Sequence, residues 1–539
     1  MMISQPRCLI FVVCILTLNA CSTTAPIKQQ AAASNDDLFQ SCVTFYEDID
    51  ANIQLFDIQD AQTFAIRGYP YLHSNRLLTS YAPLVTTDTQ DFWLEQLQKL
   101  GMESLVLASQ NLPSETKIQL LQKWQYLDTK SKTLSELIEM CGKYSHDKAA
   151  YNDKALQYLK QQSKIPDHYT TWWRAVGIYP IVSYFMAKGI SNWHKESTTA
   201  LTRVSEHIPV EGEIYRYTSK DPNNKLSDLK AVESILTLAA ENPLKIPLPS
   251  KKEMASLFAT YAPIWEIDTV TDNDKVGAVY WPAADALPKI DLEQPTMYQL
   301  ASHVHFYGKT LLQLNYFIWV PQRPCTSGFD FLCGQIDGLI WRVTLKENGE
   351  PLLYDSIHSC GCYHTFFPVD DLKLLPPKMN VEETAFVPIK APKFRIDKSL
   401  TVRLSSVSHY LDAVFYSDET NPKTHSDKTI TYETKPYNSL RSLRINDKEY
   451  KSLFKANGLV AGTERKERWF FWPMGIASAG AMRQWGTHAT AFVGRRHFDD
   501  PCLLENSFLP LKPSSESRKD DKTQFNYLCV KNELENNQN

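Results

Sequence analysis

Apolar positions recur near a 3.6-residue period through the first half of this chain and change to alternation in the second, so helices should precede strands. Over 91–100, Phe92, Trp93, Leu94, Leu97 and Leu100 form a helical stripe, and Ser114-Glu115-Thr116-Lys117 opens another through Leu121 and Trp124. The stretches 133–140 and 153–161 continue it, predicting an α-helical region over 38–260. Inside that region 172–193 is unusually apolar, with Trp172, Trp173, Ile178, Ile181, Tyr184 and Phe185 bracketed by Arg174 and Lys188. The greasy stretch is too short to cross a bilayer, which takes roughly 20 apolar residues. It reads as a core helix with an irregularity at Pro180, the functional alternative being a helix that rests in a membrane interface.

Beyond residue 260, Leu312, Leu314, Tyr316, Ile318 and Val320 share one parity ahead of Pro321. The runs 339–345 and 352–357, joined by Glu347-Asn348-Gly349-Glu350, predict a β-hairpin whose Asn-Gly turn supplies positive φ angles. Short strands are expected over 401–404, 413–416, 469–472 and 489–493, a turn at Asp337-Gly338 and a polar loop over 418–428. The fold class is therefore α+β: a helical N-terminal region followed by an antiparallel β-rich region over 261–511, with a polar tail over 512–539.

The start of the chain changes the setting. Arg7 precedes an apolar run over 8–18, then Leu18-Asn19-Ala20-Cys21, then the polar Ser22-Thr23-Thr24. A charged start, a short greasy segment and a small residue at a cleavage point make up a signal peptide. The tetrad resembles the lipobox of bacterial lipoproteins, a resemblance confined to residues 1–21. It implies loss of 1–20, lipidation of Cys21 by palmitate-like chains on sulfur and amine, and, with Ser22 next, delivery to the outer membrane facing the periplasm. Two acyl chains hold where one gives only marginal binding, so the lipid bilayer is the first expected partner. The small polar residues 21–37 predict a flexible tether.

Composition narrows the rest. A chain of 539 residues, 43% hydrophobic and 22% charged, has material for two or three globular units. Its 12% aromatic share suggests aromatic-rich sheets or a binding face. Lys+Arg 57 against Asp+Glu 61 leaves a net charge of -4 and no basic field, which argues against nucleic acid as a partner. Of 11 cysteines, Cys8 and Cys14 leave with the leader and Cys21 carries lipid. The even remainder, in an oxidising periplasm, reads as disulfides. Spacing leaves the pairing open; the preferred assignment is Cys42 with Cys141, Cys325 with Cys333 and Cys502 with Cys529, with Cys360 and Cys362 standing apart.

No Gly-x-Ser-x-Gly elbow, His-Glu-x-x-His helix, phosphate loop or dinucleotide fingerprint is present, so common hydrolase and nucleotide chemistries lack support. The stretch from Asp355 to His364 stands out because His358, Cys360, Cys362 and His364 alternate and share one face of an extended chain. Fully extended, the first and last lie roughly 20 Å apart, and a turn at Gly361 would be needed to gather them. Three readings compete. A zinc site would draw on His358, Cys360, Cys362 and His364, completed by His303, His305, His488 or His497. A thiolate nucleophile at Cys360 or Cys362 would need an imidazole and an orienting carboxylate such as Asp355 or Asp499. The favoured reading is structural, because periplasmic thiols are normally oxidised and spacing alone does not give convergence. A second constellation, Arg483, Trp485, His488, Arg495, Arg496 and His497, resembles a cleft lining able to hold a carboxylate or phosphate, unless its arginines are solvated or paired with Asp499 and Asp500. The expectation is a non-enzymatic envelope protein that binds an envelope protein or small-molecule ligand, or serves structurally. The alternative is a cell-envelope hydrolase using zinc or a cysteine.

Overall fold

The helix Asp37–Leu55 forms because Phe39, Val43, Tyr46, Ile49 and Ile53 make one apolar stripe, and because Asp36 caps it by accepting the Phe39 N–H at 3.0 Å. In the computed structural model, which describes residues 26–203, 209–220, 224–369, 372–376, 382–416, 428–510 and 529, this helix packs with Gln90–Gln110 and Leu134–Lys148 around a hairpin, Phe64–Ile66 and Tyr69–Ser74. Gly101 is required there, since any side chain would collide with the Tyr71 carbonyl of the hairpin. The Cys42–Cys141 disulfide joins the first helix to the third with Cα atoms 5.2 Å apart. Part of the expected tether is ordered: Pro26–Ala33 is a helix that buries Ile27 and Ala31, spaced four apart on one face. The leader and Cys21 lie outside the described residues, as do 418–427 of the polar loop and the tail apart from Cys529.

The second half is built on a ten-stranded sheet. Five consecutive strands, Thr296–Phe306, Lys309–Arg323, Gly334–Leu345, Pro351–His358 and Thr365–Pro368, run antiparallel in sequence order. The expected antiparallel-rich region is present, and three pairings of the sheet depart from it by being parallel. Lys428–Pro436 adds to it in parallel and is also parallel to Glu213–Ser219; Ile264–Thr269, Thr401–Leu404 and Leu411–Phe415 complete the sheet, with a further parallel pair between the first two. Glu213–Ser219 comes from the stretch expected to be helical, so the sheet begins to form well before residue 260.

Lys309–Arg323 lies mid-meander and is covered on both faces. Leu312, Leu314, Tyr316, Ile318 and Val320 enter one core, Phe317 and Trp319 another. The second core rests against Tyr437 and against irregular chain over 453–498, including Met482, Trp485 and Phe498. That is why 469–472 and 489–493 are not the strands expected. The first is a helical turn, Arg468–Phe471, followed by a 3-10 turn through Pro473, and the second keeps one isolated bridge, Ala489 to His497. The hairpin over 334–358 forms as expected, but its loop, Lys346 to Glu350, has positive φ only at Gly349 (82°). Asp337-Gly338 is not a turn; it lies within a strand.

The apolar stretch 172–193 is not a core helix. It divides into Thr171–Val176 and Tyr179–Leu201, with Ile178 left-handed (φ 52°) between them and Pro180 in the first turn, where a missing N–H does no harm. Of the longer helix only Ser183 and Leu201 are buried. No helix among the described residues is long and apolar enough to cross a membrane.

Candidate functional site

His358 ends a sheet strand and the chain turns at once. The Gly361 N–H donates to the His358 carbonyl at 2.7 Å and the His358 N–H to the Cys362 carbonyl at 3.1 Å. Gly361 sits at φ 93°, and a Cβ there would lie 2.9 Å from the Ala489 carbonyl oxygen. The expected turn exists, yet it gathers the two sulfurs only. Cys360 and Cys362 are unpaired, buried thiols, and the Cys362 N–H points to Cys360 Sγ at 3.4 Å. The hydrogen bond between the thiols, then burial, raises Cys362 well above the ordinary thiol range, which keeps its proton on at neutral pH. That opposes a nucleophilic role, which needs thiolate.

The neighbouring histidines serve aspartates instead. His364 Nε2 lies 2.8 Å from Asp355 Oδ2, and the fully buried Asp355 also receives both arms of Arg342, at 2.9 and 2.5 Å. Burial takes His364 down to about 3 despite that carboxylate. His358 lies 3.7 Å from Asp337, and burial lowers it too. His303 bonds the Pro247 carbonyl at 2.7 Å; His305 bonds Ser80 at 2.9 Å and Thr310 at 3.2 Å. Their strand is three places from that of His358, about 14 Å at the usual strand spacing. The zinc set proposed from the sequence therefore does not assemble: among the described residues no three His, Cys, Asp or Glu side chains are placed to hold a metal ion. The candidate catalytic group, Asp355 with His358, Cys360 and Cys362, is likewise divided between two aspartate networks and a thiol pair.

The second constellation is divided among several tasks, and only Arg495 and His497 share one. Arg483 is buried and donates from Nε to the Cys360 carbonyl at 3.0 Å and from Nη2 to the Ala477 and Ser478 carbonyls at 2.6 and 2.9 Å. Trp485 is core, packed on Phe317 and Phe498. His488 points Nε2 to the Ser359 carbonyl at 3.2 Å and is lowered by burial to about 3. Arg496 pairs with Glu383 at 2.9 Å, whereas Arg495 and His497 both hold Asp167. Asp499 pairs with Arg76, not with these arginines.

Arg483 also lines a cleft of about 660 Å³ between the helical unit and the irregular chain below the sheet. Asp50, Asp60, Thr63, His73 and Ser104 come from the helical side, Asp167 and His168 from the connection, Asn457 and Arg483 from the far side. Asp60 holds the seam shut at one edge: it pairs with Arg441, accepts from Gln484 at 2.5 Å and from Ser104 at 3.1 Å. Burial lowers His73 to about 4 and His168 to about 3, the latter helped by Arg76, so both imidazoles are neutral at pH 7. Asp167 is drawn down to about 2; burial opposes this, but the His497 imidazole 3.2 Å away and the charge of Arg495 outweigh it. Three lining atoms are buried without a well-formed hydrogen bond, Nε2 of His73, Nε2 of His168 and Oε1 of Gln59, and the backbone of Pro70 and of Gly486 lies close to the two imidazoles. Sequence reasoning reached Arg483 but missed the others, which stand up to hundreds of residues away; the one local signal is His73, which with Ser74 ends a strand that begins Tyr69-Pro70-Tyr71-Leu72.

Comparison with protein-family models, curated proteins and solved structures returned no match to this chain.

Proposed function

We propose that this protein is a lipoprotein, anchored through Cys21 in the outer membrane and facing the periplasm, that holds a small polar envelope ligand in the cleft between its two units without transforming it. The observation that carries the ligand reading is the set of buried polar atoms without a well-formed hydrogen bond on His73, His168 and Gln59 in the cleft wall. An unsatisfied buried polar group costs about 1–3 kcal/mol, so a molecule supplying hydroxyl or amide partners at all three would remove a standing penalty. Neutral imidazoles donate at one nitrogen and accept at the other, which suits such groups. Three disulfides and the hydrogen-bonded seam at Asp60 favour a pre-formed site, and pre-organisation is what makes such a pocket bind. The order of the leader segment supports the anchor.

Titration calorimetry with soluble cell-wall disaccharide-peptides tests the ligand reading. Saturable binding, weakened about tenfold or more by His168→Phe, is expected. No saturable heat, or equal binding by that variant, sinks it. Intact mass of the protein from cells tests the anchor separately: an acylated Cys21 is expected, and a retained Met1 without acyl mass rules it out.

A further inference from the structure

The helices Thr171–Val176 and Tyr179–Leu201 leave uncovered what a core helix would hide: Trp172 (71% exposed), Ile178, Ile181, Tyr184 and Phe185 (68%). The turn Arg468–Phe471 does the same with Trp469 (67%) and Phe470. These segments are neighbours. Arg174 Nε donates to the Met474 carbonyl at 2.8 Å, the Thr170 N–H donates to the Gly475 carbonyl at 2.7 Å, and a Cβ at Gly177 would touch Pro473. Phe470 meets Phe331 edge-on at 4.8 Å, and Phe331 belongs to the loop closed by Cys325–Cys333, in which Phe329 is 84% exposed. Apolar groups this large, on three adjacent segments, exceed the scattered exposure ordinary for a soluble surface.

Charge says what covers them. Between Asp167 and Glu196 there is no acidic residue, while Arg174, Lys188 and Lys195 are present. Over 465–475 the one carboxylate, Glu467, is buried, whereas Lys466 is exposed, and in the 325–333 loop the one carboxylate, Asp330, is turned onto Thr326 and the Leu332 N–H. A second copy is a poor occupant, because a two-fold contact would set this cationic surface against itself. A sheet of anionic headgroups over acyl chains matches both properties: cations meet the phosphates, and tryptophan and tyrosine favour the boundary between polar and apolar layers. We infer that the exposed face of 171–185, with the turn at 468–472 and the loop at 325–333, inserts shallowly into an anionic phospholipid surface. The body then rests on the bilayer by its own side chains, and acylation and face act as two signals that reinforce each other.

The test removes the acyl chain and keeps the face. The chain from residue 22 onward, which retains every described residue, is sedimented with vesicles of phosphatidylethanolamine and phosphatidylglycerol, or of phosphatidylcholine alone, at low and high salt. Binding to the phosphatidylglycerol vesicles, weakened by salt, is expected. Phe185→Ser with Trp469→Ser should lower the partition about tenfold or more at unchanged Tm, since both side chains are solvent-exposed in the free protein. Lys188→Glu with Lys466→Glu should lower it for the anionic vesicles in particular. Equal sedimentation of the apolar double variant, no binding to either vesicle, or a concentration-dependent dimer that this variant abolishes in place of vesicle binding would each overturn the inference. None of these results depends on whether Cys21 is acylated or the cleft is filled.

Discussion

The Asp337 carboxylate, 1% exposed, faces Arg465 at 3.2 Å, His409 at 2.9 Å and His358 at 3.7 Å, and His409 reaches on to Asp274 at 3.3 Å. Burial opposes its charge, yet Arg465 and the two imidazoles hold it well below the usual carboxylate range. His409 moves the other way: burial works against it, and the two aspartates raise it. A network of this kind is expensive to break on one side, because the partners remain buried and unmatched. Asp337→Ala is expected to lose about 3–5 kcal/mol in urea unfolding, against under about 1 kcal/mol for an exposed control such as Asp272→Ala. A small loss at Asp337 would mean that solvent already reaches this cluster. The residue is illegible in sequence because Asp-Gly usually marks a turn; here Ile336 at φ 47° and the pull of Arg465 and His409 keep it inside a strand.

At the level of elements, the hairpin over 334–358 and the strand at 401–404 were legible, because alternation and the Asn-Gly pair are local signals. The loop after the hairpin is decided by neighbours. Gly361 adopts φ 93° beside the Ala489 carbonyl, and that carbonyl arrives from 128 residues downstream. Gly361→Ala is therefore expected to cost about 1–3 kcal/mol, read as a shift of the urea midpoint, and to loosen Cys360 and Cys362 toward thiol reagents. An unchanged midpoint with unchanged thiol reactivity would show that the turn relaxes freely. The helices over 171–201 illustrate the opposite limit: their apolar periodicity predicts helix correctly, but says nothing about whether a core or a solvent face receives it.

For the whole molecule, buried histidines set the response to acid. His73, His194 and His303 are lowered to about 4, and His168, His305, His364 and His488 to about 3, burial leading in each case. Each depressed imidazole contributes stability that is complete above its unfolded value near 6.5 and is lost as pH falls toward the folded value. Glu467, raised by burial to about 7, Asp412, raised by burial to about 6, the raised His409, and Asp50, Glu383, Asp500 and Glu505, all raised by burial, act in reverse and favour the fold at lower pH. With His146 and His358, which are also lowered, nine imidazoles stand against these seven groups, so Tm is expected to fall between about pH 6.5 and 4. A Tm that rises over this window would show the imidazoles to be hydrated. What the sequence determined by itself is what depends on near neighbours: helix and strand periods, the leader's order, the hairpin and the α+β class. The three disulfides stand as preferred from the sequence, although spacing alone left the pairing open. Only the tertiary structure decided that the sheet is mixed, that His303, His358, His364 and His488 face aspartates and carbonyls and His305 two hydroxyls, and that His73, His168 and Arg483 share one cleft. Convergence of side chains from distant segments follows from which faces bury each other, and a one-dimensional pattern does not encode that choice.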